Sequence, residues 1–326
     1  MNKLVFNKSI ILNNILNFKN NTKDLTNLQL IFPVKTCTNI DVLKIFHNEG
    51  FGFDVSNQNE LDVVSKFKGF KSFVGPKCNE IKYKYDENFI IYYDQLKDYY
   101  MSKIEDERKG VRVNFNSNRS LSFSHFGIDF KTIDDDMCKQ IKNIHFHLGD
   151  TRSSKILHVV LKEIYKILAK CTNLKTIDIG GGYEDFGNED LVSFLSKIHS
   201  KLNKDQFLVL ECGDFWFKNS GKLYVKVLNT KKISKDAEII YLTISKDCNL
   251  KWSSPKYVYQ DKRKSLNKIK YYFYGCSCYE KDLIGGTITH DIINTGDIIE
   301  FQNISHYSVE WNTSFNGIDK IEVYYE

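Results

Sequence analysis

Short apolar runs alternate with amphipathic segments along the first two thirds of the chain. Leu28–Lys35 and Gly52–Val55 are apolar runs of strand length. Residues 39–49, which lie between them, bring Val42, Leu43 and Ile45 to one face at helical spacing. The same reading predicts further strands at 71–75, 89–93, 111–114, 144–147, 176–179 and 207–211, and helices near 60–66, 154–170 and 190–202.

About eight strand-helix units in succession are typical of a closed parallel barrel. After about residue 220 the pattern changes to strands without long helices between them, at 222–228, 237–244, 270–274, 297–301 and 320–324. Gly285 and Gly286 between two of these runs are expected in a turn. We therefore predict an α/β fold, a (β/α)8 TIM-type barrel over residues 1–225 followed by an all-β domain over residues 226–326.

The composition narrows the class of protein. The chain has 326 residues, of which 42% are hydrophobic and 27% charged, with a formal net charge of +5. These values exclude disorder and favour neither a nucleic-acid polymer nor a membrane as partner, because apolar stretches stay far short of the roughly 20 residues of a membrane span. Eight cysteines without a regular framework and no secretory signal predict a cytoplasmic protein with reduced thiols.

Several candidate groups end predicted barrel strands, where barrels carry their chemistry. Lys35 is a candidate Schiff-base nucleophile at such a position, although a lone strand-end lysine is more often a solvated surface residue. His147 and Glu211 end two other strands. Asp178–Tyr183 is a glycine turn whose backbone N–H groups suit a phosphate. Cys276 and Cys278 lack a second pair at ligand spacing, so no metal site is predicted.

Taken in order, these motifs resemble the fold-type III pyridoxal-phosphate decarboxylases, the group that contains ornithine, diaminopimelate and carboxynorspermidine decarboxylases. The resemblance runs from about residue 28 to residue 318. Single motifs are weak, but their conserved order across the chain is specific. The matching segments are Phe32–Thr36, Gly52–Leu61, Ser124–Ile128, Phe146–Asp150, Asp178–Tyr183, Glu211–Asp214, Gly275–Asp282, Gly296–Asp297, His306–Ser308 and Phe315–Gly317.

The resemblance implies pyridoxal 5'-phosphate as cofactor, carried by Lys35. Glu211 is expected to keep the pyridine nitrogen protonated, so that the ring accepts the electrons left by carbon dioxide. His147 is expected to stack on the ring, and Cys278 of the neighbouring subunit of a homodimer to reprotonate the carbanion. Further implied cofactor-binding residues are Asp54, Gly180, Gly181, Gly182, Gly213 and Tyr307, and Tyr279, Asp282 and Phe315 are implied at the substrate or the dimer interface.

Two positions depart from the family pattern. Asp214 replaces an arginine near the phosphate, and Asp150 replaces a phosphate-bonding serine. Carboxylates beside a phosphate dianion are unfavourable unless a cation compensates, for which Arg152, Lys246 and Lys281 are candidates. The alternative is a non-catalytic scaffold homologue that has lost the cofactor. An active enzyme is favoured because the other site residues are all present, namely Lys35, His147, Glu211, Cys278, Asp282 and Tyr307.

The substrate motifs also differ from those of dibasic amino-acid decarboxylases. Tyr279 stands where such enzymes place an acid, and Tyr241–Ser245 lacks the second acid. Because a buried ammonium needs a paired charge, free ornithine and lysine are disfavoured, and an amino-acid group on a larger molecule is expected. The compact chain resembles the decarboxylase portion of microcin C maturation proteins, which trim an aminocarboxypropyl group on a peptide-nucleotide. The alternatives are a siderophore or polyamine pathway decarboxylase and, ranked lower, a racemase, because racemases lack the paired Cys278 and Asp282.

Overall fold

The chain forms two compact units in the computed structural model, which describes residues 2–82, 88–147, 149, 154–258 and 263–326. One unit comprises residues 15–215. The other comprises residues 1–14 together with residues 216–326. None of the helices in these described ranges is long and apolar enough to cross a membrane.

The chain begins with strand β1 (Lys3–Phe6) and helix α1 (Lys8–Asn21), and the strands that follow build a barrel. These strands are β2 (Leu28–Pro33), β3 (Gly52–Val55), β4 (Lys71–Val74), β5 (Phe89–Tyr93), β6 (Lys109–Asn114), the short β7 (Ile128–Asp129), β8 (Asn143–His145), β9 (Thr176–Asp178) and β10 (Phe207–Leu210). The helices between them are α2 (Ile40–Asn48), α3 (Gln58–Val64), α4 (Leu96–Met101), α5 (Asp135–Gln140), α6 (Ser154–Lys170) and α7 (Asn188–His199).

Eight of these strands are parallel and close on themselves. The order is β2-β3-β4-β5-β6-β8-β9-β10, and the pairs β5–β6 and β10–β2 close the ring, while β7 adds to β6 outside it. Every residue of β3, β4 and β5 is buried. Strands buried on both faces are continuous apolar runs, which is why the sequence pattern located them. The predicted (β/α)8 barrel is confirmed.

Local signals explain where two of the helices begin. The side chain of Asn39 accepts hydrogen bonds from the backbone N–H groups of Asp41 and Val42 and caps α2. Asn57 accepts from the N–H of Glu60, whose carboxylate in turn accepts from the N–H of Ser56. This reciprocal capping box starts α3 directly after β3. Both caps keep the connections from strand to helix short.

The second unit is built on an antiparallel-rich sheet with the order β13-β16-β11-β12-β14-β15. Strand β1 pairs with β11 and with β17 of this sheet. The predicted all-β character is confirmed, with two four-residue helices added. The elements are β11 (Gly221–Ser234), β12 (Ala237–Leu242), α8 (Lys246–Asn249), β13 (Lys256–Tyr257), β14 (Lys264–Tyr274), β15 (Leu283–Asp291), β16 (Ile298–Gln302), α9 (Tyr307–Glu310) and β17 (Glu322–Tyr325).

Two sequence expectations differ from the structure. The predicted boundary between residues 225 and 226 falls inside β11, and the observed boundary lies between Phe215 and Trp216. Residues 1–14 join the β unit because β1 pairs with β11, a long-range contact that carries no local signal. Gly285 and Gly286 lie inside β15 and not in a turn. A Cβ on Gly286 would lie 2.9 Å from the Tyr271 carbonyl oxygen, so close strand approach explains that glycine.

Gly110 of β6 provides a test of how tightly the barrel interior is packed. A Cβ at this position would lie 2.6 Å from the ring of Tyr92 and 2.7 Å from the carbonyl oxygen of Asn143. We expect Gly110→Ala to lower the free energy of unfolding by about 1–3 kcal/mol, because these neighbours must shift.

The measurement is urea denaturation followed by circular dichroism. Gly187→Ala is the matched control, because its nearest side-chain neighbour would be 3.9 Å away, and its backbone has φ −68°. Its change should stay within about 0.5 kcal/mol, since a stiffer unfolded chain offsets the weaker helix cap. Equal stability of the two variants would show that the interior yields without cost.

Candidate active site

Lys35 lies at the carboxyl end of the first barrel strand. Strand β2 ends at Pro33, and a single 3-10 turn over Val34–Thr36 holds the lysine, whose side chain is 41% exposed. Its Nζ lies 3.9 Å from Oδ2 of Asp54, which ends the neighbouring strand β3 and is buried. Oδ1 of Asp54 accepts a hydrogen bond of 2.9 Å from the hydroxyl of Ser72. Lys35 and Asp54 therefore meet at the carboxyl end of the barrel, as two of the predicted cofactor residues.

Three titratable side chains gather inside the barrel beside them. Nε2 of His145 lies 3.5 Å from Oε2 of Glu211, and the two side chains are 1% and 2% exposed. Oδ1 of Asp178 accepts a hydrogen bond from the backbone N–H of Gly180. One ligand atom from each of His145, Asp178 and Glu211 lies within 4.8 Å of the others. Because β8, β9 and β10 are adjacent strands, their carboxyl ends bring these groups together.

The environment separates the protonation states of these carboxyl groups. Burial, with Glu211 as a neighbouring charge, raises the pKa of Asp54 and of Asp178 well above the ordinary value. Burial also acts to raise the pKa of Glu211, but His145, Lys35 and a hydrogen bond from Asp178 outweigh it and lower that pKa to about 2. Within this cluster Glu211 is therefore the carboxyl group that most readily carries a negative charge, and burial disfavours the charge on Asp54 and Asp178.

The two histidines at the end of β8 differ in their surroundings. Burial lowers the pKa of His145, so its ring is neutral at pH 7. His147 is half-buried, and its Nδ1 accepts a hydrogen bond from the N–H of Gly149. Burial and the charges of Lys35 and Arg112 lower its pKa as well. A neutral, partly exposed imidazole beside the lysine is suited to stacking on an aromatic ring.

The glycine turn follows β9 and is tied to the strand that carries Glu211. Gly180 has φ +63° and Gly182 has φ +91°, values that side chains rarely adopt. A Cβ on Gly180 would lie 2.6 Å from the Phe146 carbonyl oxygen, and one on Gly181 would lie 2.5 Å from the Glu211 carbonyl oxygen. The N–H of Glu211 donates to the carbonyl of Gly180. Only glycine permits this close backbone turn, which suits an anion.

Asp282 organises the motif that contains Cys278 in the β unit. Its side chain is buried, and its Oδ1 accepts hydrogen bonds from the Ser245 hydroxyl and the Lys246 N–H. Its Oδ2 accepts from the N–H and the hydroxyl of Ser277. Both oxygens are therefore engaged within the chain, where they fix the loop of residues 275–282 against the end of β12.

The other predicted residues of this unit are exposed or partly exposed. Cys278, Tyr279 and Phe315 are exposed, and Tyr307 is half-buried at the start of α9. Their predicted roles toward substrate, cofactor or a second subunit remain predictions. In the barrel unit, Lys35 lies 3.9 Å from Asp54 and its charge acts on the pKa values of His147 and Glu211. In the β unit, Cys278, Tyr279 and Asp282 share one loop.

Of the two aspartates that depart from the family pattern, the structure describes only Asp214. Asp150 and its candidate partner Arg152 lie outside the described residues. Asp214 is half-buried and begins a 3-10 turn directly after Gly213, which is buried. The ammonium of Lys246, another candidate, donates to the Ser253 carbonyl inside the β unit. Lys281 is exposed.

Sequence reasoning missed His145, Asp178 and Arg112 as site residues. Arg112 lies inside the barrel, where its Nε is 3.9 Å from Asp94 and its guanidinium packs on the ring of Phe126. The sequence feature that could have identified them is a charged or polar residue inside an otherwise apolar barrel strand. The strands of Arg112 and His145 both read as apolar runs interrupted by one such residue.

The comparisons with known proteins agree with this geometry. Residues 12–79 match the family model of the pyridoxal-dependent decarboxylase pyridoxal binding domain. A Staphylococcus aureus 2-[(L-alanin-3-ylcarbamoyl)methyl]-2-hydroxybutanedioate decarboxylase is 24% identical over 89% of this chain and 84% of its own. A Campylobacter jejuni carboxynorspermidine/carboxyspermidine decarboxylase is also 24% identical, over 67% of this chain and 64% of its own.

The fold has close counterparts among solved structures. The arginine decarboxylase of Paramecium bursaria Chlorella virus, bound to agmatine, superposes with a TM-score of 0.80 at 16% identity, over 100% of this chain and 96% of that one. A barrel with a lysine, a buried glutamate and a glycine turn at its carboxyl end, joined to a β unit, defines a class of pyridoxal-phosphate enzyme. In sequence and in fold the chain is similar to the fold-type III pyridoxal-phosphate decarboxylases.

The residues present fit the cofactor of this family, pyridoxal phosphate. Oε1 of Glu211 is buried and has no hydrogen-bond partner among the described residues, which suits a ring N–H. The amine of Lys35 is accessible, and the glycine turn presents bare backbone. His145, Asp178 and Glu211 are also a donor set that a divalent cation accepts, but a cation there would compete with a ring nitrogen for Glu211.

Replacing Asp178 tests its protonation state in the barrel. A carboxyl group whose pKa is raised by folding stabilises the fold below its unfolded pKa, and that stability is lost as pH rises. From pH 5 to pH 8, the cofactor-free protein should therefore lose stability through Asp178, by at most about 1.4 kcal/mol per pH unit.

Asp178→Asn should lose less stability over the same range, because the amide retains the hydrogen bonds without titrating. The measurement is urea denaturation at pH 5, 6.5 and 8. Asp205→Asn, at an exposed position, is the control and should follow the unmodified protein. Parallel curves for Asp178→Asn and the unmodified protein would mean that Asp178 is ionised in the fold.

Proposed function

We propose that this decarboxylase removes the α-carboxylate of an amino-acid group carried on a larger molecule, and that free ornithine and lysine are not its substrates. The observation that carries the proposal is the state of the loop of residues 275–282. Asp282, its buried carboxylate, is occupied by hydrogen bonds from Ser245, Lys246 and Ser277. Tyr279 stands where the family's dibasic decarboxylases have an acid.

The charged groups of this loop do not favour a substrate with an ammonium group at its distal end. A buried ammonium is stable only beside a carboxylate that is not already engaged. Ser245 meets Asp282 with a hydroxyl and adds no charge. Glu280 is exposed to solvent, where an ion pair contributes at most about 1 kcal/mol. The loop therefore favours a substrate whose distal part is not a free ammonium.

The name of the Staphylococcus aureus relative describes a substrate of the proposed kind. That name specifies an alanine unit joined through its side-chain carbon to a hydroxybutanedioate by an amide. The distal part is then a polycarboxylate, and the amino-acid end is the part that loses carbon dioxide. This supports the siderophore-type alternative from the sequence. The aminocarboxypropyl group of a peptide-nucleotide shares the same feature and is the second candidate.

The reaction assigns distinct tasks to the residues of this chain. When bound, pyridoxal phosphate supplies an electron sink for the pair left on the α-carbon when the bond to the carboxylate breaks. Lys35 would hold the cofactor through its aldehyde. Glu211 stays anionic and balances a protonated ring nitrogen, and His147 covers one ring face. In this proposal Cys278 of a second subunit delivers a proton to the α-carbon, so the products are carbon dioxide and the amine.

We also propose that the protein is a homodimer whose subunits share their active sites, and that it is located in the cytoplasm. The eight cysteines, all in the described part of the chain, form no disulfide, which fits a reducing compartment. Cys278 is exposed at the surface of its own unit, as a proton donor to another subunit must be.

Cofactor attachment is the first test. Purified protein mixed with pyridoxal phosphate should show an absorption band near the visible edge, and borohydride should fix the cofactor covalently to Lys35. Lys35→Ala should abolish the covalent adduct, as measured by mass spectrometry of the digested protein. Lys44→Ala is the control because Lys44 is exposed and paired with Asp41 on α2. A colourless unmodified protein at saturating cofactor would identify a scaffold homologue and reject the enzyme.

Substrate choice is tested by carbon dioxide release from a panel of amino acids. The panel contains ornithine, lysine, arginine, diaminopimelate, carboxynorspermidine, the citrate-type amide of 2,3-diaminopropionate and an aminocarboxypropyl nucleotide. We expect kcat/KM for one of the last two to exceed that for ornithine or lysine by at least about 100-fold, a loss typical of an unpaired buried charge. Efficient turnover of free ornithine or lysine would contradict the reading of Tyr279 and Ser245.

A further inference from the structure

Among the three clustered carboxyl groups of Asp54, Asp178 and Glu211, only that of Glu211 has a lowered pKa, and its neighbours act on that pKa in opposite directions. The charge of Glu211 raises the pKa values of Asp54 and Asp178. Burial disfavours the anion on all three. The charged and titratable groups that interact with Glu211 are His145 on β8, Asp178 on β9, Lys35 after β2, Asp54 on β3, Tyr92 on β5, Arg112 on β6, His147 after β8 and Tyr183 after β9.

His145 directly contacts Glu211, and no other task in the site is assigned to it. Its Nε2 lies 3.5 Å from Oε2 of Glu211. Neither ring nitrogen makes a hydrogen bond with any described residue, and the ring packs against Tyr92 at a centroid distance of 5.3 Å. A buried polar ring without a partner costs about 1–3 kcal/mol. The contact with Glu211 is the interaction that explains a histidine at this position.

We propose that His145 is a positioning residue that keeps Glu211 anionic and oriented toward the ring nitrogen of the cofactor. This inference rests on the proposed function, because Glu211 has a ring nitrogen to face only if the protein binds pyridoxal phosphate. In the proposed arrangement the Nε2–H would donate to Oε2 across the 3.5 Å contact. This leaves Oε1, a buried atom without a hydrogen-bond partner among the described residues, to face the ring. His145 thus acts through Glu211 and does not touch the substrate.

The cations of the barrel cannot replace it. Lys35 is committed to the cofactor aldehyde, so its ammonium charge is not available to Glu211 in the loaded protein. Arg112 is held 3.9 Å from Asp94 and packs on the ring of Phe126. His145 therefore remains as the donor that favours the anion once the cofactor is attached.

The test measures the dissociation constant of pyridoxal phosphate between pH 5.5 and pH 8 by fluorescence quenching. Three variants are compared with the unmodified protein: His145→Phe removes both ring nitrogens, His145→Gln restores an amide nitrogen near the Nε2 position, and Tyr92→Phe removes a different polar atom from the same buried layer. Titration of Lys35 affects the dissociation constant equally in the unmodified protein and the three variants. Differences between their pH profiles therefore reflect the protonation of Glu211.

Without His145, burial dominates and the pKa of Glu211 rises, so the glutamate takes up a proton as pH falls. In His145→Phe the ratio of the dissociation constant at pH 5.5 to that at pH 8 should exceed the unmodified ratio by about tenfold, which corresponds to a Glu211 pKa about one unit above pH 5.5 in this variant. His145→Gln and Tyr92→Phe should stay within about threefold of the unmodified ratio.

Curves that run parallel for His145→Phe and the unmodified protein would overturn the proposal, because they would assign His145 to packing alone. If His145→Phe does not fold, His145→Asn must show the same rise at pH 5.5, since asparagine does not reach the Nε2 position. Absence of cofactor binding by the unmodified protein at every pH would instead reject the proposed function. The two failures are therefore distinguishable.

Discussion

The structure depends on one buried negative charge, that of Glu211, at the carboxyl end of the barrel. A carboxylate removed from water is unfavourable unless donors surround it. Here His145 and Asp178, from β8 and β9, place one polar atom each within 4.8 Å of Glu211 and act to lower its pKa. This requires β8, β9 and β10 to end at the same level, which closure of the parallel barrel provides. The closed barrel thus brings together the side chains that determine the charge of Glu211.

The same constraint explains the glycine turn after β9. Asp178 is the last residue of its strand, and its carboxylate accepts from the N–H of Gly180, while Gly180 accepts from the N–H of Glu211. Two glycines with positive φ let the chain double back over these contacts without a side chain. The turn that presents backbone to an anion is therefore built from the residues that hold Glu211 in place.

The sequence predicted the barrel because both faces of its strands are buried, so Leu28–Pro33 and Gly52–Val55 are recognisable without any partner. It also located Lys35, His147 and Glu211, because these residues end such strands. It did not assign β1 to the β unit, since pairing of residues 3–6 with residues 221–224 depends on a contact across most of the chain. His145 and Arg112 were missed because a single polar residue in an apolar strand does not reveal its partner.

The cofactor and the substrate are recognised by different kinds of information. Lys35, the glycine turn and Glu211 suit three fixed groups of the cofactor, namely the aldehyde, the phosphate and the ring nitrogen. Residue type and position in the sequence are therefore enough to predict them. The loop of residues 275–282 works in another way. Its buried carboxylate, Asp282, is used to hold the loop itself through Ser245 and Ser277. Specificity then follows from the charge that this loop does not offer to a ligand, and a missing charge narrows the substrate class without naming one molecule.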